Sequence, residues 1–150
     1  MNLKAIIFDF DGVICESVEA KTEAFRRLFE NYPEHLESIL QFHIQNGGMS
    51  RYEKFKIIYR DFLKLELTEE KSKELGRKFS EYSYQPVLNS EFVKGAYEFL
   101  NKYYKELFLF VASGTPQEEM ISIVQERNLT RFFRKVYGSP RGKFELIDCI

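Results

Sequence analysis

Two carboxylates, Asp9 and Asp11, stand at the end of an apolar run near the start of the chain, in the segment FDFDGV. The run, residues 4 to 9, predicts a buried β-strand, so both side chains would lie where that strand ends. Carboxylates two residues apart at a strand end can face one site and divide the roles of nucleophile and general acid–base. The alternative is an ordinary acidic turn, because Asp and Gly are common turn residues.

Polar residues also follow two later apolar segments. Ser113 and Gly114 come at the end of LFLFVAS (107 to 113), and Lys143 follows RKVYGS (134 to 139) through the sequence SPRGK. Ligands of open parallel sheets bind at the carboxyl ends of the strands, where these residues would meet the aspartates. A hydroxyl and the N–H groups of a helix start hold phosphate oxygens. A lysine and a divalent metal would offset the repulsion between carboxylate and phosphate, about 4 kcal/mol per charge pair at 4 Å.

The block between the first two strands, residues 16 to 85, carries only helical spacing. The first predicted helix runs from 17 to 31, and three more patterns follow, at Leu36 to Ile44, Tyr52 to Phe62 and Leu75 to Tyr82. The segment SYQPVLNS predicts a connector and places a subdomain boundary near Pro86.

Beyond Pro86, predicted helices (91 to 103, 116 to 128) alternate with strands, which indicates an α/β fold with a parallel sheet. The second of these helices has a capping-box sequence with Thr115 as N-cap and Glu118 three positions later. The sequence thus predicts a core made of residues 1–15 and 86–150 with a helical cap subdomain, 16–85, inserted into it.

The cap segment NGGMSRYEK supplies Arg51 and Lys54, which are candidates for contacting an anionic substrate. The alternative is a solvated helix start with Ser50 as its N-cap. His35 and His43 lie eight residues apart in one predicted helix, a spacing that does not suit a shared metal, so surface or core roles are expected.

The motifs FDFDGV, VASGT and SPRGK, with a helical insertion after the first, resemble the haloacid-dehalogenase-like hydrolase superfamily. The resemblance is to its helical-cap branch, the beta-phosphoglucomutase and phosphoglycolate phosphatase type. It implies a Rossmann-like core and an aspartyl-phosphate intermediate, with Asp9 as nucleophile and Mg²⁺ ligand. Asp11 would be the general acid–base and would bind the metal through its backbone carbonyl. Ser113, Gly114 and Lys143 would bind phosphate, and Asp11 itself argues against dehalogenation, because dehalogenating members lack the second aspartate.

The family's fourth motif, an acidic pair after a further strand, is not found after Lys143, where the sequence is FELIDCI. We therefore expect a shortened chain, with Asp148 on a helix surface and an unpaired sheet edge at which self-association is expected. Three functions stay open: a Mg²⁺-dependent phosphatase of a small phosphorylated metabolite, a sugar phosphomutase, and a non-catalytic domain that keeps the scaffold.

The composition excludes some partners. The chain has 22 basic and 23 acidic residues, and this balance gives no sign of binding to nucleic acid or to an anionic membrane. Cys15 and Cys149 lack metal-ligand spacing, and the N-terminus has neither a signal-peptide pattern nor a membrane-span pattern. We expect a cytoplasmic protein.

Overall fold

The computed structural model describes residues 3–140, so the predictions for Lys143, Asp148 and Cys149 fall outside the described residues. The elements along the chain are β1 (Ala5–Phe8), α1 (Val18–Phe29), α2 (Pro33–Gln45), α3 (Arg51–Ile57), a π-helical segment (Ile58–Leu63), α4 (Glu69–Asn89), α5 (Ala96–Tyr103), β2 (Phe108–Pro116), α6 (Gln117–Glu126), a 3₁₀ turn (Thr130–Phe132) and β3 (Lys135–Ser139).

The three strands form one parallel sheet in the order β1-β2-β3. Phe8 at the end of β1 is in register with Val111 of β2, and Val111 is in register with Val136 of β3. The carboxyl ends of the strands therefore lie side by side at one end of the sheet, here called its carboxyl edge. This arrangement confirms the predicted α/β fold with a parallel core. The strand β1 is less buried than predicted, because it lies at the edge of the described sheet and Ile7 is 37% exposed.

The apolar side chains divide into two clusters. One packs the sheet with α5, α6 and the end of α4, and its largest fully buried members include Phe10, Leu109 and Met120. The other lies among α1 to α4, where the rings of Phe25 and Phe79 are 5.0 Å apart. The helical insertion therefore has a hydrophobic core of its own. The boundaries given for it from the sequence, residues 16 and 85, stay a prediction.

The connector predicted in SYQPVLNS is wrong, because α4 continues through Pro86 and ends at Asn89. Burial favours continuation of α4 through Pro86, since Ser83 and Val87, on either side of the proline, are both buried. The carbonyls left at the helix end are also satisfied: Arg127 Nη1 donates to the Val87 and Leu88 oxygens at 3.0 and 2.7 Å.

The predicted capping box at the start of α6 is also wrong. The strand β2 extends to Pro116, which is itself the N-cap of α6, and no side chain caps the helix. Thr115 still belongs to the strand and its hydroxyl accepts a hydrogen bond from Lys21 Nζ at 2.7 Å. A tertiary contact thus takes the oxygen that the local pattern assigned to the helix.

Across residues 3–140, no helix is both long and apolar enough to cross a bilayer.

Candidate functional site

The predicted catalytic residues meet at the carboxyl edge of the sheet. Asp9 directly follows β1, and its Oδ1 accepts a hydrogen bond from the Phe10 N–H at 2.8 Å. Ser113 lies near the end of β2, 3% exposed, and its Oγ accepts from the Thr115 N–H at 3.1 Å. The pairing of Phe8 with Val111 brings these two strand ends together.

Asp11 is held by two donors from the start of the helical insertion. Ser17 Oγ donates to its Oδ1 at 2.6 Å, and Lys21 Nζ makes a short ion pair with its Oδ2. Burial on its own raises the pKa of Asp11, but the Lys21 charge and the hydrogen bonds from Lys21 and Ser17 outweigh it and hold the pKa below its usual value. Asp11 is therefore ionised in this state.

A small cavity lies between the sheet edge and the helices, with space of about 30 Å³ for solvent. That is room for one or two water molecules, far less than the ~300 Å³ of a small ligand site. Gly114 shows how closely the two sides approach, because a Cβ added there would lie 2.9 Å from the carbonyl oxygen of Gly48 in the loop after α2. The structure is thus in a closed state, in which the loop after α2 packs against the sheet edge.

Arg51, a predicted substrate contact, lines this cavity but is bound to a carboxylate. Its two terminal nitrogens donate to Glu119 of α6 at 2.6 and 3.0 Å, and Ser80 Oγ donates to the same carboxylate at 2.6 Å. The Arg51 and Glu119 side chains are only 4% and 12% exposed. Arg51 therefore joins the helical insertion to the sheet side of the molecule in the closed state, and its contact with substrate stays a prediction. Ser50 caps α3 by accepting from the Glu53 N–H, as the alternative interpretation of this segment predicted, but Arg51 and Lys54 are buried rather than solvated.

Lys54 also lines the cavity and is almost fully buried, at 2% exposed. Its Nζ lies 3.0 Å from both Nδ1 and the backbone oxygen of His43. Burial and the Lys54 charge lower the pKa of His43 to about 3, and burial and the Lys21 charge lower the pKa of Lys54 to about 8. At neutral pH the pair is therefore a neutral imidazole and an ammonium, and His43 has a core role, as one of the two sequence readings expected.

Two residues of the site, Lys21 and Glu119, were not found from the sequence, nor was the pairing of a third, His43, with Lys54. Each is a titratable residue on the apolar stripe of its helix, a signal that the sequence did contain. Lys21 shares a helical face with Phe25, and Glu119 is one turn before Ile123. A charge on a buried face indicates a buried partner, although it does not say which one.

The oxygen atoms at the end of β1 fit a magnesium ion. Mg²⁺ prefers an octahedral shell of oxygens, usually one or two carboxylates completed by water and phosphate. Asp9 offers its carboxylate and Asp11 its backbone carbonyl, while the Asp11 carboxylate is held by Lys21 and Ser17. Across residues 3–140, no three His, Cys, Asp or Glu side chains come together as a metal site.

We expect the Arg51–Glu119 pair to be strongly coupled in stability. Replacing either residue with Met alone leaves one buried charge unpaired and should cost about 3 to 5 kcal/mol of unfolding free energy. The double variant should lose much less than the sum, which urea unfolding of the four proteins would measure. The exposed pair Arg77–Glu81 is the matched control, with a coupling of about 0.3 to 0.5 kcal/mol. Additive losses at Arg51 and Glu119 would contradict the assignment.

The lowered pKa of His43 predicts a specific loss of stability in acid. The unfolded chain takes up a proton on this residue near its ordinary pKa of about 6.5, whereas the folded chain does so only near 3. Stability should therefore fall as the pH drops below about 6.5, with His43 contributing about 3 kcal/mol of that loss by pH 4.

Urea midpoints of wild type and His43→Gln at pH 7 and pH 4 measure this contribution. The variant should lose less stability in acid than wild type does. His35→Gln, at the chain's other histidine, is the control. Equal acid losses in wild type and His43→Gln would show that His43 titrates normally in the folded protein.

The sequence model of the haloacid dehalogenase-like hydrolase family matches residues 6–144 of the chain. No curated protein matches the chain significantly. Among solved structures, beta-phosphoglucomutase from Clostridium difficile is similar at 19% identity and a TM-score of 0.71, covering 95% of this chain and 64% of its own. A predicted phosphoglycolate phosphatase from Haemophilus somnus has 18% identity and a TM-score of 0.68, with 94% and 64% covered.

The Bacillus subtilis protein YfnB, crystallised with bound magnesium, is similar at 19% identity and a TM-score of 0.61, covering 93% of this chain and 66% of its own. This chain thus spans about two thirds of the length of these three structures, and at these identities they show the fold alone. The family match covers nearly the whole chain. The chain belongs to the haloacid dehalogenase-like hydrolase family.

Proposed function

We propose that this protein is a Mg²⁺-dependent phosphatase that hydrolyses a small phosphorylated metabolite through an aspartyl-phosphate on Asp9. The observation that carries the proposal is the meeting of Asp9 and Asp11 with buried Ser113 at one sheet edge, where Asp11 lines a cavity together with lysine and arginine side chains. Membership in a hydrolase family supports the same reaction class.

In the first step, a carboxylate oxygen of Asp9 attacks phosphorus and the bond from phosphorus to the leaving oxygen breaks. Asp11 gives its proton to that oxygen, so an alcohol leaves and Asp9 carries the phosphoryl group. In the second step, water attacks phosphorus while Asp11 takes a proton from it. Phosphate is released and the Asp9 carboxylate is restored.

Charge control at Asp11 is part of this mechanism. In the closed state Lys21 and Ser17 keep Asp11 ionised, which suits the second step but not the first. A substrate dianion that attracts Lys21 away from Asp11 would raise the Asp11 pKa and favour its acid form. The Lys21 ammonium can thus pair either with the Asp11 carboxylate or with the substrate.

The remaining groups hold the phosphoryl oxygens. The Ser113 hydroxyl accepts a hydrogen bond from the Thr115 N–H, so its own proton remains available to donate to phosphate. The backbone of Gly114 lies next to this hydroxyl in the chain. Lys143, expected from the family motif, would add a positive charge. Mg²⁺ bound by the Asp9 carboxylate and the Asp11 carbonyl would offset the repulsion between Asp9 and the phosphate.

Sugar phosphomutase activity is the second candidate, and the closed cavity favours it. The cavity beneath the helices, which Asp11, Gly114 and Thr115 line, has space of only about 30 Å³. Exclusion of water would let a sugar hydroxyl, rather than water, take the phosphoryl group from Asp9. The fold likeness to a beta-phosphoglucomutase is consistent with this alternative.

Hydrolysis of an aryl phosphate, with and without Mg²⁺, tests the proposal. We expect Mg²⁺-dependent turnover that Asp9→Asn abolishes, because the variant lacks the nucleophile. Asp11→Asn should lower kcat by about 10²- to 10⁴-fold through loss of acid–base catalysis. Asp61→Asn, on the exposed surface of the π-helical segment, should leave kcat unchanged.

Turnover that persists in Asp9→Asn would refute the assigned nucleophile. Wild-type turnover no greater than that of the variant would favour the non-catalytic alternative. Incubation with a sugar phosphate and analysis of the products distinguishes the phosphatase from the phosphomutase. A mutase yields an isomeric sugar phosphate, whereas a phosphatase yields free phosphate.

A further inference from the structure

The pairing of β2 with β3 is interrupted where the predicted phosphate-binding residues lie. Ala112 is in register with Tyr137 and Pro116 with Ser139, so β2 has three residues between these pairs, whereas β3 has only one. The three residues, 113–115, are here called the β2 bulge. Bulges bend a strand and redirect its side chains, and they are common next to active sites. Regular strand pairing therefore does not fix the bulge, and other contacts must do so.

The side-chain amide of Gln117, the first residue of α6, joins β3 beside this bulge. Its Nε2 donates to the Val136 oxygen at 2.8 Å, and its Oε1 accepts from the Gly138 N–H at 2.6 Å. A carboxamide has the donor and the acceptor of a peptide group. Gln117 therefore adds a peptide-like partner for β3 at the point where the register with β2 shifts, and it ties the start of α6 to the end of that strand.

Gly138 shows how closely β3 approaches the chain at the end of the bulge. A Cβ added to this glycine would lie 2.5 Å from the Thr115 oxygen and 2.7 Å from the backbone N and Cα of Gln117. These atoms belong to the main chain, so a larger side chain would push the two strands apart. β3 is thus in direct contact with the end of the β2 bulge, and the Gln117 amide holds it there.

The β2 bulge carries groups that the proposed reaction uses. Ser113 Oγ accepts from the Thr115 N–H at 3.1 Å, and Thr115 Oγ1 accepts from Lys21 Nζ at 2.7 Å. The side chains of Ser113 and Thr115 are buried, with each residue 3% exposed. Strand pairing before the bulge and the Gln117 contacts after it fix both of its ends, so together they set the direction of the Ser113 hydroxyl.

We propose that Gln117 is a positioning residue for phosphate binding, which acts through the β2 bulge by setting the place of the Ser113 hydroxyl. This inference rests on the proposed phosphatase function and adds a residue to it. Gln117 does not contact the substrate in this role, because both polar atoms of its amide are bound to β3. Misplacement of a binding group by about 1 Å can cost ~10²-fold in rate, so loss of the amide should lower the activity of a protein that stays folded.

A double-variant cycle on the full chain tests the inference. Gln117→Met keeps the length of the side chain and removes both hydrogen bonds, and Ser113→Ala removes the hydroxyl. Each should lower kcat/KM for an aryl phosphate by about 10- to 100-fold. The double variant should be no slower than Ser113→Ala, because the group that Gln117 positions is then absent. Gln125→Met, which replaces an exposed glutamine of the same helix, is the matched control and should keep the wild-type kcat/KM.

Gln117→Glu adds a rescue that a general loss of stability would not produce. An ionised carboxylate accepts from the Gly138 N–H but has no donor for the Val136 oxygen, whereas a protonated carboxyl group has both. The deficit of this variant relative to wild type should therefore shrink as the pH is lowered from about 8 to about 5, where protonation begins. The deficit of Gln117→Met should not change with pH. Cooperative urea unfolding shows that each variant is folded.

Calorimetry with inorganic phosphate and Mg²⁺ distinguishes this inference from the proposed function. Gln117→Met and Ser113→Ala should each weaken phosphate binding roughly ten-fold, with no further loss in the double variant. That result without turnover keeps the positioning role and removes the phosphatase. Turnover with independent, multiplicative losses, or with an unchanged Gln117→Met variant, leaves the phosphatase and overturns the positioning role. Absence of both turnover and phosphate binding in wild type overturns both.

Discussion

Burial of charge between the helical insertion and the sheet edge is the constraint on which the site depends. Two ion pairs cross this boundary, Lys21 with Asp11 and Arg51 with Glu119. Each places a cation from the helices against a carboxylate from the sheet side, in surroundings where an unpaired charge would be costly. The closed arrangement satisfies all four charges at once, so the electrostatics favour a closed cap when no substrate is present.

The same constraint connects opening of the cap to chemistry. Separation of the helices from the sheet edge would expose Asp11 and Glu119 to water and release Lys21 and Arg51. An anionic substrate can supply the counter-charge that Asp11 gave to Lys21, so closure over substrate need not leave the lysine unpaired. Under the proposed function, substrate binding and the protonation state of Asp11 would be linked through one shared ammonium group.

The fold could be predicted from the sequence because its signals are local. The apolar run before Asp9, the run ending at Ser113 and the helical spacing of Phe25 and Phe29 all act within one element, and the parallel arrangement follows from their alternation. The prediction failed where a tertiary contact outweighed a local preference. Pro86 predicts a break, but the burial of its neighbours keeps α4 helical.

The site was predicted in part for the same reason. Asp9, Asp11 and Ser113 are recognisable because each stands at or near the end of an apolar run, and strand ends of a parallel sheet must meet. Lys21 and Glu119 depend on partners that lie 10 and 68 residues away in the chain, as their contacts with Asp11 and Arg51 show. Periodicity marks such residues as buried but carries no information on the partner. The residues at the strand ends are thus encoded locally, whereas the charge pairs between the helical insertion and the sheet side join residues far apart in the chain, and only a three-dimensional arrangement shows which charges cancel.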